Sequence, residues 1–105
     1  MAIAILYISF KDKKEAQKII SVLVKESLIA CANIFAVASI YSWKGKIVNG
    51  KEVVAVCKTK HALVPMVSAR VKDLHSYEVP CIISFGVEAN KEFENWVLDS
   101  TKNNF

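Results

Sequence analysis

The sequence lacks a long apolar run and a basic leader. No stretch reaches the roughly 18 uninterrupted apolar residues of a membrane-spanning helix, although 53% of the residues are hydrophobic. The apolar segment at residues 2–10 is not preceded by Lys or Arg, which a secretory signal requires. These absences predict a protein located in the cytoplasm, with no membrane partner.

Glycine and proline are scarce, with three and two residues respectively in a chain of 105. These numbers are too small to build a flexible linker or a low-complexity tract. A chain of this length suits one hydrophobic core and leaves no room for a second. We therefore expect one domain over residues 1–105.

The sequence patterns of common enzymes and of structural metal or RNA-binding sites are missing. There is no GxSxG, HExxH, P-loop or GxGxxG motif, and the three cysteines form no CxxC pair. Residues 53–59 lack the aromatic side chains that an RNA-recognition motif carries on this strand. The net charge of +4 is interpreted as lysines scattered over a soluble surface. We expect reduced thiols, no enzymatic activity and no nucleic-acid partner.

Strand and helix patterns alternate along the chain. Strand patterns cover residues 2–10, 28–43, 52–60 and 82–87. Asp12 and Glu15 predict the start of a first helix, and Asn49-Gly50 predicts the hairpin turn between the second and third strands.

The second half of the chain completes this pattern with two more helices. Residues 61–74 form a helical pattern in which Pro65 falls in the first turn, and Asn90 is expected to cap a last helix. The order β-α-β-β-α-β with an extra C-terminal helix predicts an α+β, ferredoxin-like fold with an antiparallel sheet.

Both faces of the predicted sheet carry apolar side chains. In residues 28–43, Phe35, Val37 and Tyr41 alternate with Ile34 and Ala36. Two helices cover only one face, and leaving several hundred Å² of the other in water forgoes several kcal/mol at about 25 cal/mol per Å². The pattern therefore predicts a homo-oligomer joined through its sheets, in which the long second strand also extends to a neighbouring copy.

Few residues offer chemistry of their own. Cys31 is interpreted either as a small buried hydrophobe or as a thiolate ligand for a soft metal ion such as Cu(I) or Zn(II). Cys57, between Val56 and Lys58, is assigned to the core. Residues 75–81 bring an imidazole, a phenol, a carboxylate and a thiol into one predicted loop, although without a diagnostic metal-ligand spacing.

Several short blocks together resemble the CutA divalent-cation tolerance family. The blocks are LIACANI at 28–34, SIY at 39–41, Trp43, GKI at 45–47, Glu52-Val53, Lys58-Thr59, HSYEVP at 75–80, and the pair Phe93 and Trp96. They span residues 3–98 in the family's order. The resemblance implies a ferredoxin-like homotrimer involved in tolerance of divalent metal ions, notably copper, with no established enzymatic activity and no obligatory cofactor.

The resemblance also implies candidate site residues. Cys31 stands at the family's recurrent cysteine and is the first candidate metal ligand, with Cys81 as a second. The implied residues of a cleft between subunits are Trp43, Glu52, Lys58, His75, Tyr77 and Glu78. Glu52 and Lys58 are interpreted either as holding a small polar ligand or as an ion pair at the interface. The family's likeness to PII signalling trimers gives an alternative function, a regulatory module that binds a small anionic or nucleotide ligand in this cleft.

This chain departs from the family pattern at two positions in the loop at 75–81. Ser76 replaces the usual proline, and Cys81 replaces the usual glutamate. If that glutamate binds a cation, a soft sulfur in place of a hard oxygen favours copper over magnesium or calcium. If the glutamate serves the interface instead, Cys81 only weakens a contact.

Overall fold

A computed structural model of the protein describes residues 1–103. Within this range the chain forms a four-stranded antiparallel sheet and three α-helices, so the α+β prediction is confirmed. The elements are β1 (Ile3–Phe10), α1 (Lys13–Lys25), β2 (Cys31–Trp43), β3 (Lys46–Lys60), a 3₁₀ turn (His61–Leu63), α2 (Val64–Leu74), β4 (Ile82–Val87) and α3 (Lys91–Ser100). The strand order across the sheet is β2-β3-β1-β4.

The main core lies between one face of the sheet and helices α1 and α2. Leu6, Ile8 and Phe10 of β1 are fully buried there, and they pair with Cys57, Ala55 and Val53 of β3. The helices contribute Ala16, Ile19, Ile20, Leu23, Val67 and Val71 to the same cluster. Because residues two apart in a strand share a face, this pairing assigns every odd-numbered residue of β1 to the opposite face.

The start of α1 follows the predicted capping pattern. The Asp12 carboxylate accepts a hydrogen bond from the Glu15 backbone N–H at 2.8 Å. At α3 the predicted cap residue has the predicted position but does not form a side-chain capping bond. Asn90 occupies the N-cap position, but its side-chain amide donates to the Glu92 carboxylate instead of accepting a bond from a helix N–H.

The second strand begins three residues later than its sequence pattern indicated. Ser27 has a left-handed backbone conformation (φ 58°) that closes the end of α1. The next two residues donate their N–H groups to the Leu23 carbonyl, so Leu28 and Ile29 belong to the helix end. Both side chains are nevertheless buried, which explains why they extended the apolar pattern of the strand.

The hairpin turn predicted at Asn49-Gly50 is wrong, because the chain turns at Lys44-Gly45. Lys44 (φ 51°) and Gly45 (φ 80°) form a two-residue turn of the primed type, and Asn49 lies within β3 opposite Ile40. A turn at 49–50 would shift the register and place Lys44 opposite Ala55 in the core. The observed register places Ile34 there instead.

This turn suggests a stabilising substitution. Lys44 adopts a positive φ that asparagine tolerates better, which is worth about 1 kcal/mol, and the lost contact of its ammonium with the Trp43 ring offsets about half of this. Lys44→Asn should therefore raise the free energy of unfolding by about 0.5 kcal/mol. Chemical denaturation at fixed protein concentration measures the change. Asn49→Ala, in the strand, is the matched control and should not show this gain. A turn at 49–50 would instead make Asn49→Ala strongly destabilising and Lys44→Asn neutral.

Candidate functional site

The β2–β3 hairpin extends beyond the end of β1, since Phe10 pairs with Val53 and seven further residues precede Val53 in β3. Residues 75–81 flank the base of this extension, and Tyr77 among them reaches Glu52 on the face of the sheet opposite α1 and α2. We call that face the open face, and residues 75–81 the cleft loop. A cleft of about 790 Å³ lies between the hairpin and the cleft loop. It is lined by Tyr7, Ser9, Val37, Ala38, Ser39, Ile40, Tyr41, Trp43, Glu52, Val54, Ser76, Tyr77, Glu78, Val79 and Cys81.

His75 attaches the cleft loop to β1. Its Nδ1 accepts a hydrogen bond from the Tyr77 backbone N–H at 3.0 Å, and its Nε2 lies 2.7 Å from the Ser9 carbonyl oxygen. Because Nδ1 is an acceptor, the proton of the neutral ring is on Nε2, which donates to Ser9. The ring also stacks on Phe10 with a centroid distance of 5.1 Å.

Tyr77 joins the cleft loop to the hairpin. Its hydroxyl donates to Glu52 Oε2 at 2.5 Å. Partial burial and this bond to a carboxylate raise the pKa of Tyr77 above its usual value. The phenol therefore stays protonated and remains a donor throughout the physiological range, which keeps this wall of the cleft in place.

Glu15 of α1 provides a third attachment for the loop. Its carboxylate accepts hydrogen bonds from the backbone N–H groups of Ser76 at 3.0 Å and Lys11 at 3.3 Å. Burial acts to raise the pKa of Glu15, but the hydrogen bonds from Ser76 and Lys11 outweigh it, so the pKa lies below its usual value of 4.5.

This lowered pKa predicts an acid-sensitive cleft loop. A carboxylate with a depressed folded-state pKa stabilises the fold above its unfolded pKa, and this contribution is lost as the pH falls through the folded value. The ratio of the exchange rate of the Ser76 amide to its intrinsic rate at the same pH should therefore rise below about pH 4. Glu15→Gln should remove this pH dependence. Glu88→Gln, an exposed carboxylate outside the cleft, should retain it. Identical profiles for the two variants would contradict the role of Glu15.

The structure brings four of the six predicted cleft residues together. Trp43, Glu52, Tyr77 and Glu78 line the cleft, and His75 supports Tyr77 from behind. Lys58 lies elsewhere. It is six residues from Glu52 along β3, roughly 20 Å, so the two do not pair within one chain.

Lys58 has a different partner, since its Nζ donates to the Asn33 amide oxygen on the neighbouring strand. The sequence reasoning also missed Tyr7 and Ser9 as residues lining the cleft. The strict alternation of β1 was the signal that could have found them, because both share the open face with Ile5.

The two predicted thiol ligands lie in different parts of the chain. Cys31 is paired with Lys58 at the start of β2, whereas Cys81 lines the cleft near Ser9. In the sheet register they are four residues apart along the strands and three strand spacings apart across the sheet, a distance of roughly 20 Å. Within residues 1–103, no three His, Cys, Asp or Glu side chains cluster as a metal site.

Cys57 is a core residue, as the sequence indicated. It is 0% exposed, and burial raises the pKa of its thiol to about 12. A thiol of this kind is a poor metal ligand because the thiolate form is the one that binds metal.

Comparison with known proteins identifies the family to which this arrangement belongs. The model of the CutA1 divalent ion tolerance protein family matches residues 4–100. The chain belongs to the CutA1 family. The divalent-cation tolerance protein CutA of Pyrococcus horikoshii is 41% identical over 99 residues, which cover 93% of this chain and 97% of that protein.

Solved CutA1 structures share the fold. The crystal structure of CutA1 from Pyrococcus horikoshii matches with a TM-score of 0.93 at 40% identity, covering 95% of this chain and 99% of that chain. CutA from Archaeoglobus fulgidus, described as a periplasmic divalent cation tolerance protein, matches with a TM-score of 0.92 at 34% identity and the same coverage. The CutA1 relatives are thus named for tolerance and not for an enzymatic reaction.

Among the described residues of this CutA1 chain, no helix has the length and apolar character needed to cross a membrane. The Archaeoglobus fulgidus relative is described as periplasmic. The cytoplasmic location therefore stays a prediction from the sequence.

Proposed function

We propose that this CutA1-family protein acts in tolerance of divalent metal ions, with copper as its principal ion, as a non-enzymatic cytoplasmic homotrimer. The observation that carries the proposal is the family match over residues 4–100, together with relatives named as divalent-cation tolerance proteins. Three free cysteines suit a reducing compartment, which supports the cytoplasmic location.

The proposed trimer is supported by the apolar side chains of the open face. Ile83 and Phe85 of β4 are 53% and 50% exposed, and Phe35 of β2 is 44% exposed. At the hairpin, Ile40 and Ile47 project from the other face and are also exposed. A ferredoxin-like subunit with this surface gains stability by packing its sheet and its hairpin against neighbouring copies.

The proposed copper sites use the thiols of Cys31 and Cys81, which lie roughly 20 Å apart and so do not hold one ion together within one chain. Both are free and partly exposed, unlike Cys57. Because no ligand cluster forms within residues 1–103 of one chain, the remaining ligands would come from neighbouring copies. Thiolates favour Cu(I) among the available copper states.

Metal titration of the reduced oligomer tests this proposal. Cu(I), Cu(II) and Zn(II) are titrated into the wild type, Cys31→Ser and Cys81→Ser, with Cys57→Ala as the control for a thiol that binds no metal. We expect Cu(I) to bind most tightly, and the loss of a ligand thiol to weaken it by at least about tenfold. Unchanged affinity in both Ser variants would contradict the thiol site. Copper sensitivity of cells that rely on each variant then tests the tolerance role.

The alternative function, a PII-like module for a small anionic or nucleotide ligand, is supported by the presence of the cleft. Its lining is less favourable to an anion. Glu52 and Glu78 contribute two carboxylates, and no Lys or Arg in the described part of the chain lines the cleft. We therefore keep metal tolerance as the proposed function.

A further inference from the structure

The cleft walls combine aromatic rings with carboxylates that have spare acceptor capacity. Four aromatic side chains line the cleft, Tyr7, Tyr41, Trp43 and Tyr77. Within residues 1–103, Glu52 Oε1 and the Glu78 carboxylate have no hydrogen-bond or ion-pair partner. Such a cavity presents π faces and negative charge to whatever enters it.

The Trp43 ring contacts one positively charged group in the structure. The Lys44 Nζ lies 5.7 Å from the centroid of its ring, within the range of a cation–π contact. Lys44 and the cross-strand partner of Trp43, Lys46, stand at the tip of the hairpin and do not line the cleft. The charged side chains of the cleft lining are therefore the partly buried Glu52 and the exposed Glu78, and the two lysines stand at its outer end.

The raised pKa of Tyr77 agrees with a negatively charged carboxylate beside it in the cleft. After burial and the bond to Glu52, the charge of Glu52 and the nearby Tyr41 and Glu15 also raise the pKa of Tyr77. Of these causes, the carboxylates of Glu52 and Glu15 oppose a further negative charge near Tyr77.

We propose that this cleft binds a small organic cation, an amine or quaternary ammonium compound with an apolar body. The ammonium group would lie between the carboxylates of Glu52 and Glu78, and the apolar body would stack on Trp43 and Tyr41. A bare divalent metal ion fits less well, since no three metal-ligating side chains cluster in the described residues. The proposal does not involve Cys31, whereas Cys81, the second proposed copper ligand, lines the same cleft. The proposed ligand class is opposite in charge to that of the PII-like alternative.

A matched series of ligands tests the charge directly. Benzylamine, benzyl alcohol and benzoate share one ring and carry positive, no and negative charge near neutral pH. They are titrated into the intact oligomer in a Trp96→Phe background, so that Trp43 is the only fluorescent tryptophan. We expect benzylamine to bind roughly tenfold more tightly than benzyl alcohol, and benzoate more weakly than both.

Charge-neutralising variants locate the site. Glu52→Gln and Glu78→Gln should each reduce benzylamine affinity several-fold and leave benzyl alcohol unchanged, while Glu88→Gln, outside the cleft, should have no effect. The proposal would be overturned if all three ligands bound equally or if benzoate bound most tightly. It would also be overturned if Glu88→Gln had the same effect as Glu52→Gln. A Trp43 signal that no ligand changes, as expected if a neighbouring copy fills the cleft, would overturn it as well. Titration with Mg²⁺ and Zn²⁺ distinguishes a metal site, because a metal that displaces benzylamine would also overturn it.

Discussion

Replacing Ile83 and Phe85 together with lysine is expected to convert the proposed homotrimer into monomers. The two side chains are half-exposed neighbours on the open face of β4, which is an edge strand of the sheet. Because each side chain is already half-buried, covering its remaining surface stabilises an interface by about 0.8–1.5 kcal/mol, and burying an unpaired ammonium there costs several kcal/mol more. The combined loss of about 4 kcal/mol or more lowers the association constant at least roughly a thousandfold.

The matched control for this double variant is Val24→Lys. Val24 is an apolar side chain of α1 with 43% exposure, but it lies on the solvent side of a helix. Its replacement should leave the mass in solution unchanged. Light scattering during gel filtration measures both variants, and circular dichroism confirms that each remains folded. A double variant that keeps the wild-type mass would show that the open face of β4 is not an interface.

Replacing Phe10 with alanine is expected to destabilise the fold by about 3–5 kcal/mol. Phe10 is fully buried at the end of β1, and its ring also supports the imidazole of His75. The substitution therefore leaves a cavity in the core and removes the stacking partner that positions the cleft loop. We expect faster hydrogen exchange at the Tyr77 amide, whose acceptor is His75 Nδ1.

Phe10→Leu separates the two effects in this experiment. Leucine fills most of the cavity and should cost about 1.5 kcal/mol or less, but it cannot stack on the imidazole. The Tyr77 amide should therefore exchange faster in both variants, while only the alanine variant loses most of its stability. Urea denaturation at one protein concentration gives the comparison, because the stability of the proposed oligomer depends on concentration. A cost below about 1 kcal/mol for alanine would contradict the core position of Phe10.

The elements of this protein were predictable where a local pattern and the final packing agree. The alternation in β1 and the spacing of Val67 and Val71 in α2 place apolar side chains in the core, as the structure has them. The turn was missed because Asn49-Gly50 has a strong local preference, while the register depends on non-local pairing. Pairing β2 with β3 around Lys44-Gly45 places Ile34 opposite the buried Ala55 and leaves Lys44 in the turn.

The cleft could be predicted only in part, because distant residues build it. The hydrogen bond between Tyr77 and Glu52 joins residues 25 positions apart in the sequence, and the bond between His75 and Ser9 joins residues 66 positions apart. No periodicity in the sequence reports contacts of this kind. The family resemblance supplied Trp43, Glu52, Tyr77 and Glu78, which line one cleft of this chain. Lys58 lies roughly 20 Å along the strand from Glu52, so its place in a cleft between copies stays a prediction.

The mass of the unmodified chain in dilute solution tests the central claim, that copies of this protein associate through the apolar open face. Light scattering on the purified protein at micromolar concentration should give about three times the 11.7 kDa mass of one chain. A mass of 11.7 kDa that persists as the concentration rises would contradict the claim, and the proposed copper site between copies would be lost with it.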